Sequence, residues 1–195
     1  MGMEEYGIVL DYLPHGRPED ERPIYKREPL VLAVGENYMT LIELIPKKGV
    51  EVQPHERVYI GKGDRDKIEY VKRRIGFKDL SSAARSELPY VLEELVKAKE
   101  KEFVKFFNEA QPISTRLHRL ELLPGIGKKL MWEILDERKK RPFESFEDIS
   151  KRIKALSDPV KLIVRRIQSE LEEDTRLGKG KYKLFTIPRS KRSER

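Results

Sequence analysis

Two glycines one residue apart, followed at once by two lysines, stand in the run Leu122-Leu123-Pro124-Gly125-Ile126-Gly127-Lys128-Lys129-Leu130-Met131-Trp132-Glu133-Ile134-Leu135. Glycine lacks a Cβ, so a ligand can approach its backbone closely, and the free N–H groups that open a helix favour anions. Lysine in a first helical turn opposes the macrodipole by roughly 0.3–1 kcal/mol per group. Helix stability alone therefore does not account for Lys128 and Lys129, whereas a phosphate at the turn does. The spacing predicts two helices joined by a glycine-bounded hairpin. Leu117, Leu120 and Leu123 would line the apolar stripe before the turn, and Leu130, Ile134 and Leu135 the one after it. Backbone N–H groups of Gly125, Ile126, Gly127, Lys128 and Lys129 would hold one phosphate, and the two ammonium groups its neighbours. The competing reading is a plain helix pair with a glycine hinge and solvated lysines. A nucleotide-hydrolase phosphate loop is disfavoured, since the spacing G-x-x-x-x-G-K-[ST] is absent and a helix is expected ahead of the glycines.

Charge is spread to match. Residues 1–80 carry 14 Lys/Arg against 15 Asp/Glu, residues 81–115 carry 5 against 6, and residues 116–195 carry 22 against 13, so the net +7 lies wholly in the last part. Residues 175–195 hold eight basic residues against Glu194 alone. Such asymmetry is an electrostatic footprint for polyanions, and it is also the composition of a solvated tail. With no cysteine there is neither a disulfide framework nor a thiolate metal site. His15, His55 and His118 lie far apart in sequence, so no metal site and no cofactor are expected. The start Met1-Gly2-Met3-Glu4-Glu5 is acidic where a secretory signal would be basic, and no apolar run approaches a membrane span. The expectation is a cytoplasmic protein with no membrane partner. Charged residues make up 38% of the chain while Asn and Gln together number five, a balance that leans thermophilic.

The elements that must position the hairpin give an α+β chain. Residues 1–79 read as a small five-stranded β-barrel of the oligonucleotide/oligosaccharide-binding (OB) type: Tyr6, Ile8, Leu10 and Tyr12 alternate as in a half-buried strand, and Gly35-Glu36-Asn37 and Gly61-Lys62-Gly63-Asp64-Arg65 mark turns. Lys62 and Arg65, with Lys72, Arg73 and Arg74, would meet phosphates. Tyr6, Tyr12, Tyr25, Tyr38 and Tyr59 would either stack bases or half-bury themselves in the wall. Residues 80–112 read as a helical connector, with Ser81 or Ser82 capping a short helix and Pro89 starting a longer one. Residues 113–174 form an all-helical helix-hairpin-helix domain, in which Phe143, Phe146 and Ile149 are buried and Ser157-Asp158-Pro159 restarts the last helix. That helix carries Arg165 and Arg166 near its exposed edge. Cations at Arg138-Lys139-Lys140-Arg141 suit a helix C-terminus. Residues 175–195 are the basic tail, expected to contribute charge only.

A leucine-rich helix, P-G-I-G, a second helix and then R-P-F-E-S-F-E-D-I resemble tandem helix-hairpin-helix domains, whose second hairpin would fall at Leu156-Ser157-Asp158-Pro159-Val160 without a glycine. Over nearly its full length, including Tyr6-Gly7-Ile8-Val9-Leu10-Asp11-Tyr12-Leu13-Pro14, Ser86-Glu87-Leu88-Pro89-Tyr90-Val91 and Lys183-Leu184-Phe185-Thr186, the chain resembles an archaeal family of unknown function, family 655, described as predicted RNA-binding proteins. That resemblance implies a barrel ahead of a hairpin domain and RNA rather than DNA as ligand, with no catalytic residue to carry over. The expected function is non-catalytic nucleic-acid binding through the hairpin turn and tail. Two rivals remain. Resemblance to helix-hairpin-helix glycosylases would make Lys129 a catalytic lysine with Asp148 as its aspartate. An exposed Trp132 would instead suit an adaptor that docks on ribosomal RNA and holds a protein partner.

Overall fold

A computed structural model describes residues 3–173 and 182–186. The apolar alternation at the start of the chain becomes β1 (Tyr6–Leu13), followed by β2 (Leu30–Gly35), β3 (Leu41–Pro46), β4 (Arg57–Tyr59) and β5 (Ile68–Arg74). All neighbouring strands pair antiparallel, in the order β4-β1-β2-β3-β5. Register shifts at Val9/Asp11, Glu43/Leu44 and Ile45/Pro46 bend the strands and curl the sheet into a half-barrel with β4 and β5 at its two edges. The half-buried pattern expected of the strands is exceeded at the centre. Every residue of β2 and β3 is buried, as are Gly7–Leu10 of β1. Val9, Val31, Ala33, Ile42, Leu44, Val58 and Ile68 form the core on one face. The turn between β2 and β3 closes on the carboxylate of Glu4, which accepts N–H groups from Asn37, Tyr38 and Thr40.

The described chain divides into two compact units, one of residues 3–91 with 170–173 and 182–186, the other of residues 92–169. Helix α1 (Ser82–Ala98) begins at a capped N-terminus: Ser81 Oγ accepts the Ala84 N–H at 3.0 Å and donates to Asp11 Oδ2. Pro89 does not open a separate helix as its type suggests but lies inside α1. About two turns stand ahead of it, and its missing N–H frees the carbonyl of Arg85, an exposed residue, where the loss is tolerable. The chain breaks instead at Lys99 and continues as α2 (Glu100–Glu109).

In the second unit, a two-stranded ribbon of β6 (Pro112–Ser114) and β7 (Leu117–His118) leads into a 3-10 turn, Arg119–Leu122. Then come α3 (Lys128–Lys140), α4 (Phe146–Arg152) and α5 (Pro159–Glu172). The α-helix expected ahead of the hairpin is thus replaced by a ribbon and a single 3-10 turn. Leu117, Leu120 and Leu123 recur every three residues, which suits the three-residue repeat of a 3-10 turn better than 3.6. Phe143, Phe146 and Ile149 are buried as the pattern requires. Arg138 donates to the Phe107 and Ala110 carbonyls at 3.0 Å each, closing the C-terminal end of α2. Asn108 exchanges two hydrogen bonds with the backbone of Phe143. The basic run at the end of α3 is therefore partly structural.

Part of the expected tail is packed. Glu170 is fully buried and its carboxylate accepts the N–H groups of Leu184, Phe185 and Thr186 and the Thr186 hydroxyl. The charge-only expectation fails for residues 182–186 because a buried carboxylate requires these donors. The rest of the tail lies outside the described residues. No described helix is long and apolar enough to cross a membrane.

Candidate nucleic-acid interface

The turn ahead of α3 is built by Leu123-Pro124-Gly125-Ile126. Ile126 N–H donates to the Leu123 carbonyl at 3.2 Å, and Gly125 takes φ +83°, the positive value that the third position of a type II turn demands after proline. Leu123 and Ile126 are buried and anchor the turn, while Pro124, Gly125, Gly127, Lys128 and Lys129 are exposed. Gly127 sits at the N-cap of α3 in extended backbone, and no side chain caps the helix. A Cβ placed on Gly125 or Gly127 would meet nothing within 4 Å. The first-turn amides of α3 are thus open on the outer side of the hairpin.

The two lysines separate. Lys128 Nζ donates to the Arg116 carbonyl at 2.7 Å and to Glu121 Oε2 at 2.9 Å, and the same oxygen accepts the His118 N–H at 2.7 Å. The Lys128 ammonium, ahead of the His118 N–H, holds Glu121 below the usual carboxylate range. Lys128 therefore fastens α3 to the segment before it, and the anion its position called for is supplied within the chain. Lys129 is exposed and makes no ion pair among the described residues. Arg116, exposed and joined to Lys128 through its carbonyl, is a neighbouring cation that sequence spacing did not single out. Only the three-dimensional return of the ribbon brings it there.

Ahead of α5, Ile153 and Leu156 form a similar turn, with the Leu156 N–H donating to the Ile153 carbonyl at 2.9 Å. Here Asp158 caps the helix: its Oδ1 accepts the Lys161 N–H at 3.0 Å. The second turn thus carries its own carboxylate where the first carries none. Pro124 of the first turn and Ala155–Asp158 of the second line one cleft of about 390 Å³ with Lys161, Leu162 and Arg165. The cleft unites Arg165 with the first hairpin and adds Lys161, which pairs with Asp158 at 3.4 Å. Arg166 is less exposed than Arg165 and does not line it.

Lys62 and Arg65 belong to the other unit. Arg65 donates to the Gly61 and Glu69 carbonyls and so holds its own loop, while Lys62 is exposed. Of the five tyrosines considered for stacking, Tyr6, Tyr12, Tyr38 and Tyr59 are half-buried and only Tyr25 is well exposed. The Tyr6 ring is covered by the Arg57 guanidinium at 3.4 Å. Trp132 is 56% exposed, because the buried stripe of α3 is Met131, Ile134 and Leu135, with Leu130 only half-buried. Asp148 accepts from the Glu144 N–H and from Arg141 and Arg152. Burial pushes its pKa up, but those donors prevail and hold it below the usual range.

Residues 3–187 match the family described as a protein of unknown function, DUF655. An uncharacterized protein of Methanocaldococcus jannaschii, MJ0038, is 50% identical over 182 residues, spanning 93% of this chain and 79% of the relative. The crystal structure of Af1531 from Archaeoglobus fulgidus, of the same family, superposes with a TM-score of 0.87 at 53% identity, covering 94% of this chain and all of that one.

Proposed function

The chain belongs to the DUF655 family of proteins of unknown function, and for this member we propose non-catalytic binding of nucleic acid through its phosphate backbone, at the hairpin that opens α3. The observation that carries this reading is the uncapped, unobstructed N-terminus of α3, beside an unpaired Lys129. Amides and macrodipole there are disposed for an anion. The cations of the adjoining cleft, Lys161 and Arg165, would continue the contact along the strand. Reading the pair of turns as a tandem helix-hairpin-helix, and the half-barrel as OB-like, belongs to this proposal. The preference for RNA over DNA rests on resemblance alone. Asp148 has its carboxylate committed to three partners, which weighs against a lysine–aspartate glycosylase mechanism.

Two substitutions test the reading. Lys129→Ala should lower the slope of log affinity against log salt by about 0.9 on duplex and about 0.7 on single strands. Gly127→Asp installs at α3 the carboxylate cap that Asp158 gives α5. It should raise thermal stability slightly, since acidic caps suit a helix N-terminus, while removing the phosphate contact. A folded Gly127→Asp protein with unchanged affinity and salt slope would remove the hairpin from the binding surface.

A further inference from the structure

Trp132 is the only tryptophan of the chain, and it lies more than half exposed on a helix whose buried face is already complete without it. It stands three residues beyond Lys129 and four beyond Lys128, so all three share one side of α3. Helical side chains lean toward the N-terminus. The indole therefore leans along the flank of α3 toward its first turn, with its Cα about 6 Å along the axis from that of Lys128. Beyond it on the exposed side stand Glu133 and Asp136, the latter paired with Lys139 at 3.8 Å. The open surface around the ring is thus cationic on the hairpin side and of mixed charge on the other.

We propose that Trp132 is a stacking platform for an unpaired base of the strand whose phosphate lies at the hairpin, so that the ligand class is single-stranded nucleic acid or a duplex with a splayed nucleotide. This rests on the phosphate reading given above. The ring and the open amides lie within the reach of one nucleotide, and an indole face binds any base by stacking without selecting among them. A base inside a duplex has both faces occupied and cannot use the ring. Lys129 supplies the charge that brings the backbone to it, and Lys128, tied to Glu121, fixes the height of the turn.

The single tryptophan makes the full chain its own reporter. Titration with a 12-nucleotide oligouridylate or oligoadenylate should quench the Trp132 fluorescence, while a blunt duplex of equal length should bind with little quenching. Trp132→Ala should weaken single-strand binding roughly 5- to 100-fold, and Trp132→Phe should restore most of it. Neither variant should lose fold, because the ring packs in no core. If Trp132→Ala leaves single-strand affinity unchanged while Lys129→Ala still lowers the salt slope, the platform is overturned and the hairpin contact stands. If neither variant changes binding, the phosphate reading fails as well. Fluorescence that responds equally to duplex and single strand also overturns the platform, and a ring unmoved by either leaves it to a protein partner.

Discussion

At the scale of single residues, His118 links the hairpin to pH. It is buried, and its Nδ1 accepts the Leu120 N–H at 3.1 Å, capping the 3-10 turn that leads into the Lys128 contact. Burial, and then the nearby Arg138 charge and Lys128, push its pKa below the ordinary value, against a smaller opposing effect of Glu121. A protonated ring has no lone pair at Nδ1, so the cap is lost on protonation. The folded pKa lies below the unfolded value of about 6.5. The stabilisation is therefore fully present above about pH 6.5 and is lost as pH falls through the folded pKa. Thermal melts should show stability falling from about pH 6.5 downward. His118→Asn keeps an acceptor at the cap and should flatten that fall. An unaltered pH profile in His118→Asn would show that the Nδ1 cap does not carry the pH dependence. The same residue scale shows what spacing conceals. Two adjacent lysines look equivalent in sequence, yet one faces Glu121 and the other faces open surface.

At the scale of elements, most segments were legible and their junctions were not. Apolar alternation marks β1, and the Gly-rich turns mark its successors, because side chains of a strand alternate with a period of two and the turns need positive φ or close approach. Phe143, Phe146 and Ile149, with Asp158 capping α5, were equally readable because each acts within one turn of helix, whereas the Ser145 cap of α4 was not singled out. The tight turn ahead of α3 was legible through Pro124, Gly125 and Gly127 for the same reason, but the helix expected before it was not there. The ribbon of β6 and β7, Arg116 beside Lys128 and the cleft shared with Lys161 and Arg165 depend on chain return, which no local period encodes. Least visible was the clasp on Glu170, formed by residues 14–16 positions away. It yields a prediction that separates charge from packing. Deleting residues 187–195 removes Arg189, Lys191, Arg192 and Arg195 and should leave the melting temperature nearly unchanged. Deleting residues 182–195 also strips four donors from a buried carboxylate, at a cost of about 1–3 kcal/mol. The melting temperature should fall by several degrees, at about 2–4 °C per kcal/mol for a chain of this size. Equal melting temperatures for the two truncations would show that Glu170 is relieved by water once uncovered.

At the scale of the whole molecule, charge follows the compact units. Residues 92–169 carry 18 Lys/Arg against 13 Asp/Glu, a net +5, whereas residues 1–91 together with 170–195 carry 23 against 21, a net +2. The unit that holds the glycine turn is thus the more cationic of the two, which is in keeping with the proposed contact to a polyanion. Its boundaries matter for any attempt to isolate it. A fragment starting at residue 113 would omit α2, which buries Phe103, Val104 and Phe107. Such a cut also removes Asn108, which satisfies both backbone groups of Phe143, and Glu100, which accepts the Phe146 N–H at 2.8 Å. Arg138, partly buried, would face no carbonyl at the α2 terminus, leaving a cation without acceptors. Losing three core side chains at about 2–5 kcal/mol each exceeds what a fragment of some 60 residues can spare. Residues 92–173 retain these groups together with the end of α1, where Leu92, Leu95 and Val96 are buried. By circular dichroism the 92–173 fragment should therefore melt cooperatively with high helix content, and the 113–173 fragment should be largely unfolded. If 113–173 folds cooperatively, α2 is an accessory to the hairpin unit and the polar ties of Asn108, Glu100 and Arg138 stabilise only the junction.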